Sequence, residues 1–178
     1  EDAMTKGFAL LSDNDFAGAR ASFQSARNIL PAADGPKAAL AQLEEAETLS
    51  RLNDLLSQAA DLAAREQWAK TVEVLEAALA IDASLVEASD GLDRARPLAE
   101  LFTKLDTIVE KQARLVDPVV LSEAQLSLSE AEAALAASAQ TSPVLKDKVA
   151  AVRSTVATAS TPLPVVITSD GLTEITIK

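Results

Sequence analysis

The chain has 178 residues, enough for one domain or for one domain and the start of another. Hydrophobic residues make up 48% but aromatics only 3%, so the apolar content is mostly alanine and leucine. That composition suits closely packed helices and excludes a disordered acidic chain.

A first helix is predicted over about Asp2 to Leu11, broken by "SDNDF". Asp13 or Asp15 can cap a second helix from Phe16 to Leu30, with Pro31 as a stop just beyond. Asp34 is the capping candidate for a third helix, Pro36 suits its first turn, and no break appears before Gln67. Leu40, Leu43, Ala46, Leu49, Leu52, Leu56, Ala59 and Leu62 mark one apolar stripe along it. Trp68 to Ile81 forms a short helix. Ser84 is placed to cap a stretch from Leu85 to Leu115, which Pro97 should kink or split. Asp117-Pro118 opens a helix to Ala137, and Ser142-Pro143 opens the last one, to about Ala159.

The short helices repeat. Phe16, Ala19, Phe23 and Ala26 have the same spacing as Trp68, Thr71, Leu75 and Ala78, and as Leu121, Ala124, Leu128 and Ala131. The copies lie 52 and 53 residues apart, and Leu10, Leu62 and Leu115 each precede the leading position by six residues. This pattern predicts three helical hairpins, each feeding a longer connecting helix.

The first copy resembles a tetratricopeptide repeat at Gly7, Leu10, Ala19, Phe23, Ala26 and Pro31. The second keeps Ala59, Leu62, Thr71, Leu75, Ala78 and Ala83 in those places, and the third keeps Ala124, Leu128 and Ala131 but has Gln112 for the glycine. Family repeats recur about every 34 residues, so the resemblance implies a tetratricopeptide-like fold with lengthened helices. Met4, Thr5 and Phe8 stand where some members clamp a peptide carboxylate, so that binding mode is not carried over. The tail, Pro164 to Lys178, resembles the opening hairpin of a PEGA-type β domain found in bacterial envelope and surface-associated proteins. Val165 to Thr168 and Thr173 to Ile177 read as strands about Asp170-Gly171.

The net charge of −11, from 27 acidic and 16 basic residues, argues against nucleic acid and anionic membrane surfaces. The basic residues stand singly from Lys6 to Lys178 and predict no patch. No apolar run approaches the roughly 18 to 20 residues of a membrane span, so no direct insertion is expected. Histidine, tyrosine and cysteine are absent, which removes the commonest general base, a phenolic acid and thiol chemistry. "DNDFAG" at Asp13 to Gly18 begins like a calcium loop, but Ala17 and Gln24 occupy positions that need oxygen ligands, so helix capping explains the aspartates. Glu44, Glu45 and Glu47, and Glu130 and Glu132, read as solvated helix faces rather than catalytic pairs. Trp68, in register with Phe16 and Leu121, is assigned to hairpin packing. No catalytic, cofactor or metal residue is expected. Phe8 and Phe102, large apolar groups on alanine-rich surfaces, are the candidates for partner binding.

The expected fold is all-α: antiparallel helical hairpins in a tetratricopeptide-like right-handed solenoid over residues 1–160, then a linker and short β-hairpin over 161–178. Both ends read as cut, since residue 1 is Glu and the chain stops on a strand-like "EITIK". The expected function is a non-enzymatic scaffold or adaptor that binds another protein or peptide, favouring a basic one. The tail's resemblance implies a larger bacterial envelope protein, periplasmic or envelope-associated, with the cytoplasm as the alternative. The other reading is a structural spacer that holds a C-terminal β domain away from an N-terminal anchor.

Overall fold

A computed structural model describes residues 2–137 and 142–161. The expected C-terminal β-hairpin lies outside them. Among the described residues the chain is all-α, with α1 (Asp2–Ser12), α2 (Phe16–Ile29), α3 (Asp34–Ala64), α4 (Trp68–Ile81), α5 (Val86–Glu110), a 3-10 turn (Gln112–Val116), α6 (Pro118–Ala137) and α7 (Pro143–Ser160). No described helix is long and apolar enough to cross a membrane. The helices divide into two compact units, residues 1–100 and 101–178.

In the first unit α1 packs on α2, α2 on α3 and α3 on α4. The 31 residues of α3, about 45 Å at 1.5 Å rise, serve two cores. Its first half supplies Ala39 and Leu43 to a cluster with Ala19 and Phe23. Its second half supplies Leu52 and Ala59 to a cluster with Leu75, Ala78 and, from α5, Ala88, Leu92 and Ala95. In the second unit α6 packs on α7, and both meet the 3-10 turn. Leu145, Val149, Val152 and Val156 form the buried stripe of α7.

The backbone recurs at the 52-residue interval. After α1, Asp15 N–H donates to Leu10 O at 2.8 Å and Asn14 N–H to Leu11 O at 3.1 Å; after α3, Gln67 N–H donates to Leu62 O and Glu66 N–H to Ala63 O, both at 2.9 Å. These are Schellman closures, which need a left-handed residue, and Asn14 (φ 59°) and Glu66 (φ 54°) fill that position. The turns after α2 and α4 also match. Leu30 N–H donates to Ala26 O and Ala33 N–H to Leu30 O; 52 residues on, Asp82 N–H donates to Ala78 O and Leu85 N–H to Asp82 O.

The two copies differ by a compensated exchange. A Cβ on Gly7 would lie 2.4 Å from Phe23 Cε1 and 2.6 Å from its Cδ1, so the fully buried ring requires glycine there. The second copy has Ala59 at the glycine position and the smaller Leu75 at the aromatic one, both buried in one cluster. Gly7→Ala is therefore expected to destabilise the first unit by about 1 kcal/mol, the overpacking outweighing the helix-propensity gain. Phe23→Leu in the same chain should recover that loss, giving a coupling of about 1 kcal/mol or more in a urea-melt double-mutant cycle. Strict additivity would contradict the register.

Several element ends differ from expectation. The third helix stops at Ala64 rather than Gln67, because the left-handed Glu66 closes it; glutamate is a poor marker for that conformation. Asp34 is inside α3, with Lys37 Nζ 3.9 Å away, and Ala33 holds the N-cap position. Asp15 does cap α2, accepting from Gly18 N–H at 2.9 Å. Ser84 does not cap α5: its hydroxyl and N–H both donate to Asp82 Oδ1, at 2.6 and 2.9 Å. Those bonds, the hydroxyl's first, hold the exposed Asp82 carboxyl below its ordinary range. Pro97 does not split α5, which runs unbroken through it. A mid-helix proline costs about 3 kcal/mol, and the helix buries Leu92 and Ala95 before it and Leu101, Phe102 and Leu105 after it. The same helix ends at Glu110, short of Leu115, which sits instead in the 3-10 turn.

Candidate functional site

Phe8 and Phe102 have opposite environments. Phe8 is 42% exposed, and its ring meets Phe23 edge-on with centroids 5.0 Å apart. Phe102 is only 8% exposed and belongs to the second unit's core, with Lys148 Nζ 5.4 Å from its ring centroid. A buried ring under a lysine offers a partner no surface, so Phe8 alone remains a contact candidate.

Phe8 lines an open groove of about 900 Å³ between α1 and α2. Ala26 contributes to its floor, and Ile29 and Leu30, 70% and 60% exposed, line its end. Sequence reading passed over this pair as part of a helix terminus. The available signal was its adjacency: neighbours on a helix point about 100° apart, so two large apolar residues just before Pro31 spread over a wider face than a narrow core stripe.

The second copy indicates what would cover this groove. Ile81, which matches Ile29, is partly buried against a cluster that includes Leu52 of α3, and Leu55 and Leu56 of the same helix pack on that cluster too. Leu55 matches Ala3 and Leu56 matches Met4. Ala3 is smaller than the leucine it matches, so less apolar side chain lies beside Ile29 in the first copy.

A second groove, about 520 Å³, lies between α3, α4 and α5, with Ala60, Ala63 and Trp68 among its lining residues. Ala60 and Ala63 stand where the first copy has Phe8 and Leu11, so smaller side chains open the space. Trp68 also packs against the second core cluster, as its register implied.

Most of the flagged carboxylates hold neighbouring helices. Arg20 pairs with Glu47 at 2.5 Å, Lys104 with Glu130 at 3.6 Å and Arg153 with Glu132 at 2.6 Å. All are partly exposed, so each contributes about 0–1 kcal/mol. Among the described residues no group of acidic side chains is placed to hold a metal ion, and no buried side-chain polar atom lacks a hydrogen-bond partner.

The expectation that basic residues form no patch is overturned in the second unit. Lys104, Lys111 and Arg114 line one cavity of about 280 Å³. Seven-residue spacing puts the two lysines on one face of α5 and its end. The 3-10 turn then brings Arg114 back beside them, its N–H donating to Lys111 O at 2.9 Å. Comparison of the chain with protein-family models, curated proteins and solved structures found no match.

Proposed function

We propose that this chain is a non-enzymatic helical-repeat interaction module, a scaffold or adaptor, and that the α1–α2 groove receives an apolar helix of a partner protein. The observation that carries this reading is the contrast between Ile29, 70% exposed, and its partly buried equivalent Ile81. A partner helix presenting leucines, as α3 does at Leu52 and Leu56, would cover Phe8, Ile29 and Leu30 in the same way. Residues 1–100 carry 18 acidic and nine basic side chains, which favours a basic partner and speeds its association.

The recurring turns and the Gly7–Phe23 contact support a tetratricopeptide-like solenoid for the hairpins. Membership of a larger bacterial envelope protein, with a PEGA-like β domain following and a periplasmic setting, rests on the tail sequence alone. A spacer role is the second reading, favoured by the unbroken length of α3.

The test is affinity capture from the source cell's lysate with the chain and with Ile29→Lys/Leu30→Lys. Both side chains are exposed, so melting should change by no more than about 0.5 kcal/mol, while a captured partner should be lost. Equal capture by both proteins would remove the groove from the account.

A further inference from the structure

The cationic cavity of the second unit has a feature that ion pairing does not use. Lys111 and Arg114 make no ion pair among the described residues, in a chain whose net charge is −11. Cations just past a helix C-terminus are favourable in themselves, but these two line one open cleft together with Lys104. The floor of that volume is apolar, formed by Ile108, Leu115 and Val120, and Thr107 and Ser127 add hydroxyls. Glu123 is its one acidic lining residue, which leaves the lining net positive.

The cavity also sits where the repeat breaks its own pattern. The first two copies close with left-handed Asn14 and Glu66. In the third, the 3-10 turn replaces that closure and α6 begins at Pro118, three residues before its leading Leu121. The position of Arg114 is held by Asp61 in the second copy and by Ala9 in the first.

From this convergence we infer a binding site for a small amphipathic carboxylate, separate from the partner groove and independent of it. The carboxylate would lie between Lys111 and Arg114, the latter's planar guanidinium suited to two-point contact. A short hydrocarbon body would cover Ile108, Leu115 and Val120. At about 30 Å³ for a water-sized group, a volume of 280 Å³ holds roughly nine non-hydrogen atoms, the scale of a medium-chain fatty acid or an acyl amino acid.

Hexanoate is the probe, titrated into the full chain and followed by amide chemical shifts, with 1-hexanol and inorganic phosphate as separate arms. Saturable shifts confined to residues 103–127 are expected with hexanoate. Hexanol, which lacks the charge, and phosphate, which lacks the apolar body, should each bind at least tenfold more weakly. Lys111→Glu/Arg114→Glu should weaken hexanoate at least tenfold and leave the hexanol response unchanged. Both side chains are exposed and make no ion pair among the described residues, so the double variant should keep its melting curve. Raising the salt concentration on the unmodified chain should also weaken hexanoate, because exposed cations are screened. Equal binding of hexanol or of phosphate, unchanged hexanoate affinity in the double variant, or no saturation at all would each overturn the site.

Discussion

Phe23→Ala is expected to remove about 3–5 kcal/mol from the first unit. The ring is fully buried, and its cluster includes Ala19, Ala39 and Leu43, with Gly7 against its edge and Phe8 packed on it. Three of those neighbours are glycine or alanine, side chains too small to swing into the vacated space. The cavity would stay open, which puts the loss at the upper end of the range. Domains of this size have only about 5–15 kcal/mol of net stability, so the variant should show a large fall in urea midpoint. Hydrogen exchange should accelerate first in α1, α2 and the N-terminal half of α3. A loss below about 1 kcal/mol would mean that Phe23 is not the centre of this core.

Leu105→Ala is expected to cost about 2–5 kcal/mol in the second unit. Leu105 is fully buried on the part of α5 that belongs to that unit, and Leu101 and Phe102 beside it are buried but for 8% each. Exchange protection in α6 and α7 should fall with it. The control is Leu126→Ala on α6, where the side chain is 63% exposed and the change should stay within about 0.5 kcal/mol. Similar losses at both positions would contradict the assignment of the core face of this unit.

Much of the helical architecture was legible because it is written in residue spacing. The limits of α4 and α6 follow from Trp68 to Ile81 and from Asp117-Pro118, where apolar periodicity and breakers agree. The first interval of the repeat was legible for the same reason and recurs in the backbone turns of the first two copies, whereas the third copy departs from it at the 3-10 turn. Helix ends were less so. Glutamate carries no signal for the left-handed conformation that Glu66 adopts, and a serine just before a helix looks like a cap even when, as at Ser84, its hydroxyl serves a neighbouring aspartate. Pro97 misled in the other direction: a local penalty was outweighed by burial on both sides of it, which no local pattern reports.

The candidate sites depended on tertiary placement. Phe8 and Phe102 are alike in being phenylalanines within helical stretches of the sequence, and the fold exposes one and buries the other. Lys104, Lys111 and Arg114 looked scattered because the 3-10 turn that gathers two of them has no strong sequence signature. Ile29 stood out only once Ile81 supplied a covered equivalent.

The most direct test of the interaction reading replaces Phe8 with the photoreactive residue p-benzoylphenylalanine and, separately, Leu126, an exposed apolar residue outside the groove. Both chains would be illuminated in source-cell lysate. The proposal predicts a crosslinked polypeptide from position 8 that is absent from position 126 and is lost when Ile29→Lys/Leu30→Lys is added. Equal crosslinking from both positions, or none from position 8, would contradict it.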